Sequence, residues 1–233
     1  MIIRRDDEDS VASGSTVTQL QLFMAPKPQV DFLYFDLGKV LIDFSYEIGA
    51  RRLSELTGRP IPQLLATIFG GPNQIAYETG LIETADFARE INQQLGTDVP
   101  EAMLVQAATE IFWPNWQIIP LVASLARAGW PLGILSNTCS AHWEYVTANY
   151  RFLRHLFGGP VILSYEVRAM KPAEPIYAAA QRLAGVDAKR IFFVDDRAEN
   201  VEGARQFGFQ AVLYESAIQT AASLRQLGVH FDY

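Results

Sequence analysis

Residues 32–44 read FLYFDLGKVLIDF. Four apolar residues run into a carboxylate, Asp36, and a glycine, Gly38, follows two positions later. A continuous apolar run of this length, bounded by a polar residue and a glycine, has the pattern of a strand buried on both faces of a parallel sheet. The carboxylate at its end reads in two ways. It is a turn or helix cap, or it is a reactive group at the carboxyl end of a strand, where α/β sheets carry their sites.

The same pattern recurs along the chain. PLGIL (131–135), VIL (161–163), IFFV (191–194) and AVLY (211–214) are short apolar runs. Helical text lies between them, as IPLVASLARAG (119–129), PIYAAAQRLAG (175–185) and ENVEGARQFG (199–208). Several of these stretches close on glycine, as helix ends commonly do. Strand alternating with helix predicts an α/β fold, a Rossmann-like doubly wound parallel sheet.

One interval breaks the alternation. From Phe44 to about Trp116 the text is helical, in YEIGARRLSELTG, IPQLLATIFGG, TADFAREINQQLG and EAMLVQAATEIF, with no convincing strand. About four helices inserted after the first strand predict a helical cap over residues 44–116, with the core formed by 30–43 and 117–233. FWPNWQIIP (112–120) reads as the return hinge, and its tryptophans, Trp113 and Trp116, as core packing rather than ligand stacking. Residues 1–29 are polar and carry no apolar signal-peptide core, so they read as a mobile extension.

Composition narrows the function classes. The 233 residues are 49% apolar, enough for a packed core, and no apolar run has the length of a membrane span. A formal charge of −7 disfavours a nucleic-acid partner, which needs clustered Lys and Arg. The single cysteine, Cys139, allows no internal disulfide and fits a reducing compartment, so a cytoplasmic location is expected.

Taken alone, each strand-end residue has an ordinary reading. Asp36 and the Ser136-Asn137-Thr138 run can be caps, and Lys171, before Pro172 at an expected helix start, can be a solvated lysine. Asp195-Asp196 is less ordinary, because adjacent carboxylates repel and one cap suffices. Taken together, they supply what covalent phosphoryl transfer needs. A carboxylate can attack phosphorus, acidic residues can hold Mg²⁺, and a hydroxyl and an ammonium can bind the non-bridging oxygens.

In order, FDLGKVLID, LSNT, the lysine of MKP, and FVDDRAEN resemble the four motifs of the haloacid dehalogenase superfamily, mostly magnesium-dependent phosphatases. The resemblance extends over residues 31–214. YETGLIETADFARE (77–90) and SNTCSAHW (136–143) resemble the branch with a helical cap after the first strand, and within it sugar-phosphate phosphatases of the α-glucose-1-phosphatase type. The resemblance implies Asp36 as nucleophile and Ser136 and Asn137 as phosphate contacts, with Lys171 as a catalytic cationic anchor. It implies Mg²⁺ held by Asp36, the Gly38 carbonyl and the pair Asp195-Asp196. Asn200 falls where the family often orders this loop, and reads equally as a polar residue of a helix first turn.

Gly38 is the departure from the usual phosphatase, which has a second Asp there as acid and base. The carbonyl remains, but the proton-transfer group is gone, and such groups are worth about 10²–10⁴-fold in rate. Asp43, His142 and Glu78 are the candidate replacements. A substrate whose leaving group needs little help, or a protein that no longer turns over, would equally account for the glycine. The α-glucose-1-phosphatase-like branch also tends to read Asp-Leu-Gly here. Lys39 departs from that branch and is expected to face solvent. Asn73, Tyr77 and Glu78 are candidates to reach the substrate from the cap, and equally read as cap packing. Cys139 carries no sign of a reactive thiolate.

The expected activity is hydrolysis of a small phosphorylated metabolite, with a sugar phosphate implied by the resemblance. Two alternatives stand beside it: a metal-independent 2-haloacid dehalogenase, and a catalytically quiet ligand-binding protein of the same fold. No membrane partner is expected.

Overall fold

The computed structural model describes residues 28–69 and 71–233. The extension expected over 1–29 therefore lies outside the described residues, apart from Pro28 and Gln29. Gln29 donates its backbone N–H to the Leu227 carbonyl at 2.8 Å.

The strands are β1 (Phe32–Phe35), β2 (Ile42–Phe44), β3 (Phe112–Pro114), β4 (Leu132–Ser136), β5 (Val161–Leu163), β6 (Ile191–Asp195) and β7 (Gln210–Leu213). Five of them form one parallel sheet in the order β5-β4-β1-β6-β7. The chain builds outward from β1 in one direction and then crosses to the other side. The switch in winding therefore opens a crevice at the carboxyl end of β1.

Period-2 geometry explains the continuous apolar runs. Leu33 and Phe35 of β1, with Phe192 and Val194 of β6, pack into one core layer. Their neighbours Phe32, Tyr34, Ile191 and Phe193 pack into the other. Both faces are covered by helices, so no position on these strands can be polar until the strand ends. Each such side chain, fully buried, contributes about 1.5–3 kcal/mol. On the first face lie α6 (Ile119–Arg127), α7 (Ser140–Asn149) and α12 (Ala217–Gln226); on the second lie α10 (Glu174–Ala184) and α11 (Ala198–Phe207). Two single-turn helices, α8 (Phe152–His155) and α9 (Ser164–Val167), flank β5. The helix after Pro172 begins at Glu174, with Pro175 in its first turn, two residues later than the sequence suggests.

Between β2 and β3 the described residues form five helices, against the four or so expected. They are α1 (Tyr46–Thr57), α2 (Ile61–Ile68), α3 (Pro72–Glu78), α4 (Thr84–Leu95) and α5 (Glu101–Thr109). Four of them, α1, α2, α4 and α5, share an apolar core of their own that includes Leu53, Leu64, Ile91 and Leu104. The interval also holds a strand that its sequence does not announce. Antiparallel β2 and β3 pair Asp43 with Trp113 and form a short ribbon where the insertion leaves and rejoins the sheet. Trp113 points outward from this ribbon at 40% exposure and Trp116 is 70% exposed, so neither tryptophan is the core residue expected.

No helix among the described residues is long and apolar enough to cross a membrane.

Candidate active site

The crevice at the strand ends has a volume of about 610 Å³. Its sheet side presents Asp36, Gly38, Asn137, Lys171 and Asp196, and the helical insertion contributes Tyr46, Phe69, Gln74 and Glu78. The four strand-end motifs, far apart in the chain, meet here.

Lys171 is the hub. Its Nζ lies 2.8 Å from Asp36 Oδ1 and 2.6 Å from Asp195 Oδ2, and it donates to the Leu135 carbonyl at 3.0 Å. The side chain is 1% exposed, so this ammonium is charged only because carboxylates surround it. Burial alone would depress its pKa, but Asp36 and Asp195 outweigh burial and hold it above the ordinary lysine value.

Asp36 follows β1, and its backbone N–H continues the ladder to Val194 at 3.0 Å. Its Oδ1 accepts from Lys171 and from the Leu37 backbone N–H at 2.7 Å. Oδ2 has no protein partner among the described residues and is the oxygen left for chemistry. Burial raises this carboxyl's pKa and Asp195 and Asp196 add to the rise, while Lys171 opposes it.

Asp195 and Asp196 are held differently. Asp195 is fully buried and saturated: Oδ1 accepts from the Arg197 backbone N–H (2.9 Å) and Asn200 Nδ2 (3.0 Å), and Oδ2 from Lys171. Asn200 is itself buried, with its carbonyl accepting from the Tyr177 hydroxyl at 2.7 Å. It is an organising residue rather than a solvent-facing one. Asp196 lines the crevice, and its carboxyl is pushed above the ordinary range by burial and by Asp195.

Oxygens of Asp36, Asp195 and Asp196 lie within 4.8 Å of one another. Three carboxylates share one buried ammonium, an excess of acid groups that raises the pKa of Asp36 and Asp196, and Arg197 is turned toward Glu199. Such an all-oxygen set with that acidic excess fits a hard divalent cation. Gly38 borders the same crevice, and its carbonyl accepts one hydrogen bond, from Val40 N–H at 2.7 Å, which leaves it a lone pair.

The two polar residues after β4 do unequal work. Ser136 is 1% exposed at the strand end, and its hydroxyl makes only a long contact, 3.4 Å, with the Asn137 carbonyl. Both ends of the Asn137 amide are engaged with the Lys171 backbone, Nδ2 donating to its carbonyl (2.9 Å) and Oδ1 accepting from its N–H (2.8 Å). Asn137, expected as a phosphate contact, borders the crevice, and its side chain also braces Lys171.

The candidate replacements for the acid–base group separate cleanly. Asp43 lies on β2, opposite Trp113 and near Tyr214, and does not line the crevice. His142 lies outside the crevice too, against a small apolar cavity of the insertion and edge-on to Phe112 at 5.0 Å. Burial lowers its pKa to about 4, leaving it neutral. Glu78 alone of the three borders the crevice. Tyr77 lines the apolar cavity and Asn73 lines neither space. Lys39, expected in solvent, borders the crevice at φ 60° and folds back on Phe44, donating to its carbonyl at 2.6 Å and lying 4.3 Å over its ring. Cys139 is buried with its thiol pushed up to about 12, which removes it as a nucleophile.

Sequence reasoning missed Tyr46, Phe69, Gln74, Met170 and Arg197 as crevice residues. Only Arg197, beside the acidic pair, carried a signal that could have found it.

Residues 32–208 match the family described as "Hydrolase: haloacid dehalogenase-like hydrolase". The chain belongs to the haloacid dehalogenase-like hydrolases. Among curated proteins, it is 26% identical to phosphatase MT3486 of Mycobacterium tuberculosis, over 87% of this chain and 97% of that protein. It is 31% identical to (S)-2-haloacid dehalogenase 2 of a Pseudomonas species, over about half of each chain (52% and 50%). A family enzyme of Bacteroides thetaiotaomicron, bt-2542, solved in complex with magnesium and inorganic phosphate, superposes with a TM-score of 0.70. That alignment has 26% identity and covers 80% of this chain and 95% of that one. The chain is a hydrolase of this family, and phosphatases are among its relatives.

Proposed function

We propose that this hydrolase is a Mg²⁺-dependent phosphomonoesterase acting on a small phosphorylated metabolite, a sugar phosphate being the class suggested by its sequence. The observation that carries the reading is the charge balance of the site. A buried Lys171 bridges Asp36 and Asp195 while Asp36 keeps one oxygen free and the cluster holds three carboxyl groups against that one ammonium.

In this reading Asp36 Oδ2 attacks phosphorus, with Oδ1 anchored by Lys171 and Leu37 so that the nucleophile is held in one rotamer. The O–P bond to Asp36 forms as the ester bond breaks, giving an aspartyl-phosphate that water then hydrolyses. Lys171 and the Ser136 hydroxyl bind the non-bridging oxygens, and Asn137 acts through Lys171 by fixing its backbone. Asp36, Asp196 and the Gly38 carbonyl would hold Mg²⁺ directly, with Asp195, already saturated by donors, set behind them. When bound, Mg²⁺ supplies a Lewis acid that neutralises the phosphate and offsets its repulsion from Asp36. The helical insertion acts as the cap: its aromatic wall of Phe69 and Tyr46, stacked at 4.6 Å, faces the leaving group and excludes water.

The test is phosphate release from a panel of sugar and acyl phosphates, with Mg²⁺ and with EDTA, beside Asp36→Asn. Release that requires both the metal and Asp36 supports the reading; release indifferent to either contradicts it.

The partial likeness to a haloacid dehalogenase favours a second reading, displacement of halide by Asp36 without metal. The clustered carboxylates speak against it, because without a cation they repel a haloacid anion. Halide release in EDTA would reverse the order of the two readings.

A further inference from the structure

We infer that Glu78, entering the crevice from the insertion, is the catalytic acid and base that Gly38 cannot be. The inference rests on the phosphatase reading and adds to it the missing proton-transfer group.

Glu78 ends α3, and the core grips that helix end at several points. The Glu78 carbonyl accepts from Ser164 Oγ at 2.6 Å, and the same hydroxyl accepts from the Thr138 N–H at 2.9 Å, directly in the loop after β4. Tyr77, one residue earlier, reaches Ser140 at 3.2 Å and accepts from the Ala141 N–H at 3.3 Å. Thr79, one residue later, reaches Met170 Sδ at 3.1 Å, next to Lys171. Gly80 lies so close to the Tyr165 backbone that a Cβ there would sit 2.1 Å from its carbonyl oxygen. Glu78 is thus fixed to the loops that carry Asn137 and Lys171, although it belongs to the insertion.

Its carboxyl is also oriented. Gln74 Nε2 donates to Glu78 Oε1 at 2.7 Å and lies 3.3 Å from the Tyr46 hydroxyl. A bond donated to Oε1 makes that the carbonyl-like oxygen, which leaves Oε2, without a protein partner among the described residues, as the proton's place. The groups facing Glu78 are Tyr46 from α1, Cys139 before α7, Lys171 and Arg197. Burial raises the Glu78 pKa, with Gln74, Arg197 and Lys171 opposing, and a rise is the direction an acid catalyst needs.

The proton balance closes. As the ester P–O bond breaks, the Glu78 carboxyl gives its proton to the leaving oxygen. As water attacks the aspartyl-phosphate from the side the leaving group vacated, the Glu78 carboxylate takes the water's proton. The O–P bond to water forms, Asp36 leaves, and Glu78 is again protonated.

The experiment compares wild type and Glu78→Gln, with Mg²⁺, on alkyl phosphates and on 4-nitrophenyl phosphate, whose leaving group needs no proton. The parameter kcat/KM reports only the steps through formation of aspartyl-phosphate. Loss of the acid lowers it by about 10²–10⁴-fold for alkyl phosphates and leaves it nearly unchanged for 4-nitrophenyl phosphate. In wild type, alkyl-phosphate kcat/KM falls at high pH as Glu78 ionises, and this limb disappears in the variant. The variant keeps the Gln74 contact through its amide oxygen, and circular dichroism verifies the fold. An equal loss on both substrate types, or no loss on alkyl phosphates, overturns the role of Glu78 while the phosphatase stands. Absence of phosphate release from wild type overturns the phosphatase reading itself.

Discussion

Lys171 Nζ sits 2.6 Å from Asp195 Oδ2, with neither side chain more than 1% exposed. An ion pair taken this far out of water is favourable only while both members are present. Lys171→Met leaves Asp195 and Asp36 buried without their cation, and the expected loss of unfolding free energy in EDTA is about 3–5 kcal/mol. Urea denaturation measures it, and added Mg²⁺ should recover part of the loss by supplying the missing positive charge.

Asn200 should tune metal affinity without touching metal. Its Nδ2 lies 3.0 and 3.2 Å from the two Asp195 oxygens. Asn200→Ala frees Asp195 to shift toward the crevice, and the expected effect is about a tenfold weaker Mg²⁺ affinity, the scale of outer-shell substitutions. Calorimetric titration with Mg²⁺ checks this independently of turnover.

His142 should make the fold acid-sensitive. Burial depresses its folded-state pKa from the ordinary 6.5 to about 4, so between these values the unfolded chain binds the extra proton. Stability is fully present above pH 6.5 and falls as pH drops toward 4, by at most about 3 kcal/mol. His142→Phe, which keeps a ring against Phe112, should flatten the stability curve over that window.

The sheet was legible because β1 and β6 are covered on both faces. Such strands cannot alternate polar with apolar, so FLYF and IFFV announce themselves, and the first polar residue, Asp36 or Asp195, marks the end that carries chemistry. The ribbon was not legible, because two three-residue strands carry no periodicity, and Pro114 argues against a strand. Helix α3, seven residues after two glycines, was missed for the same reason, and Glu78 with it as a placed residue. His142 and Glu78 looked alike as candidates. What separates them is tertiary: both line the apolar cavity, but His142 turns to Phe112 while only Glu78 also borders the crevice.

Gly80 should couple the insertion to activity. It holds φ +69°, and a methyl group would meet the Tyr165 carbonyl. Gly80→Ala should cost about 1–3 kcal/mol through backbone strain and lower kcat/KM by lifting α3 off the core. Thermal unfolding and phosphate-release assays on the same preparation check both.

Everything proposed for the crevice depends on Asp36 carrying the phosphoryl group between the two half-reactions. Acid-quenching the protein during turnover of a radiolabelled phosphate ester, then mapping the label, reads that step without inference from rates. Hydroxylamine-sensitive label is expected on the peptide containing Asp36 and absent from Asp36→Asn. Turnover with no trapped label, or label on another residue, would contradict it.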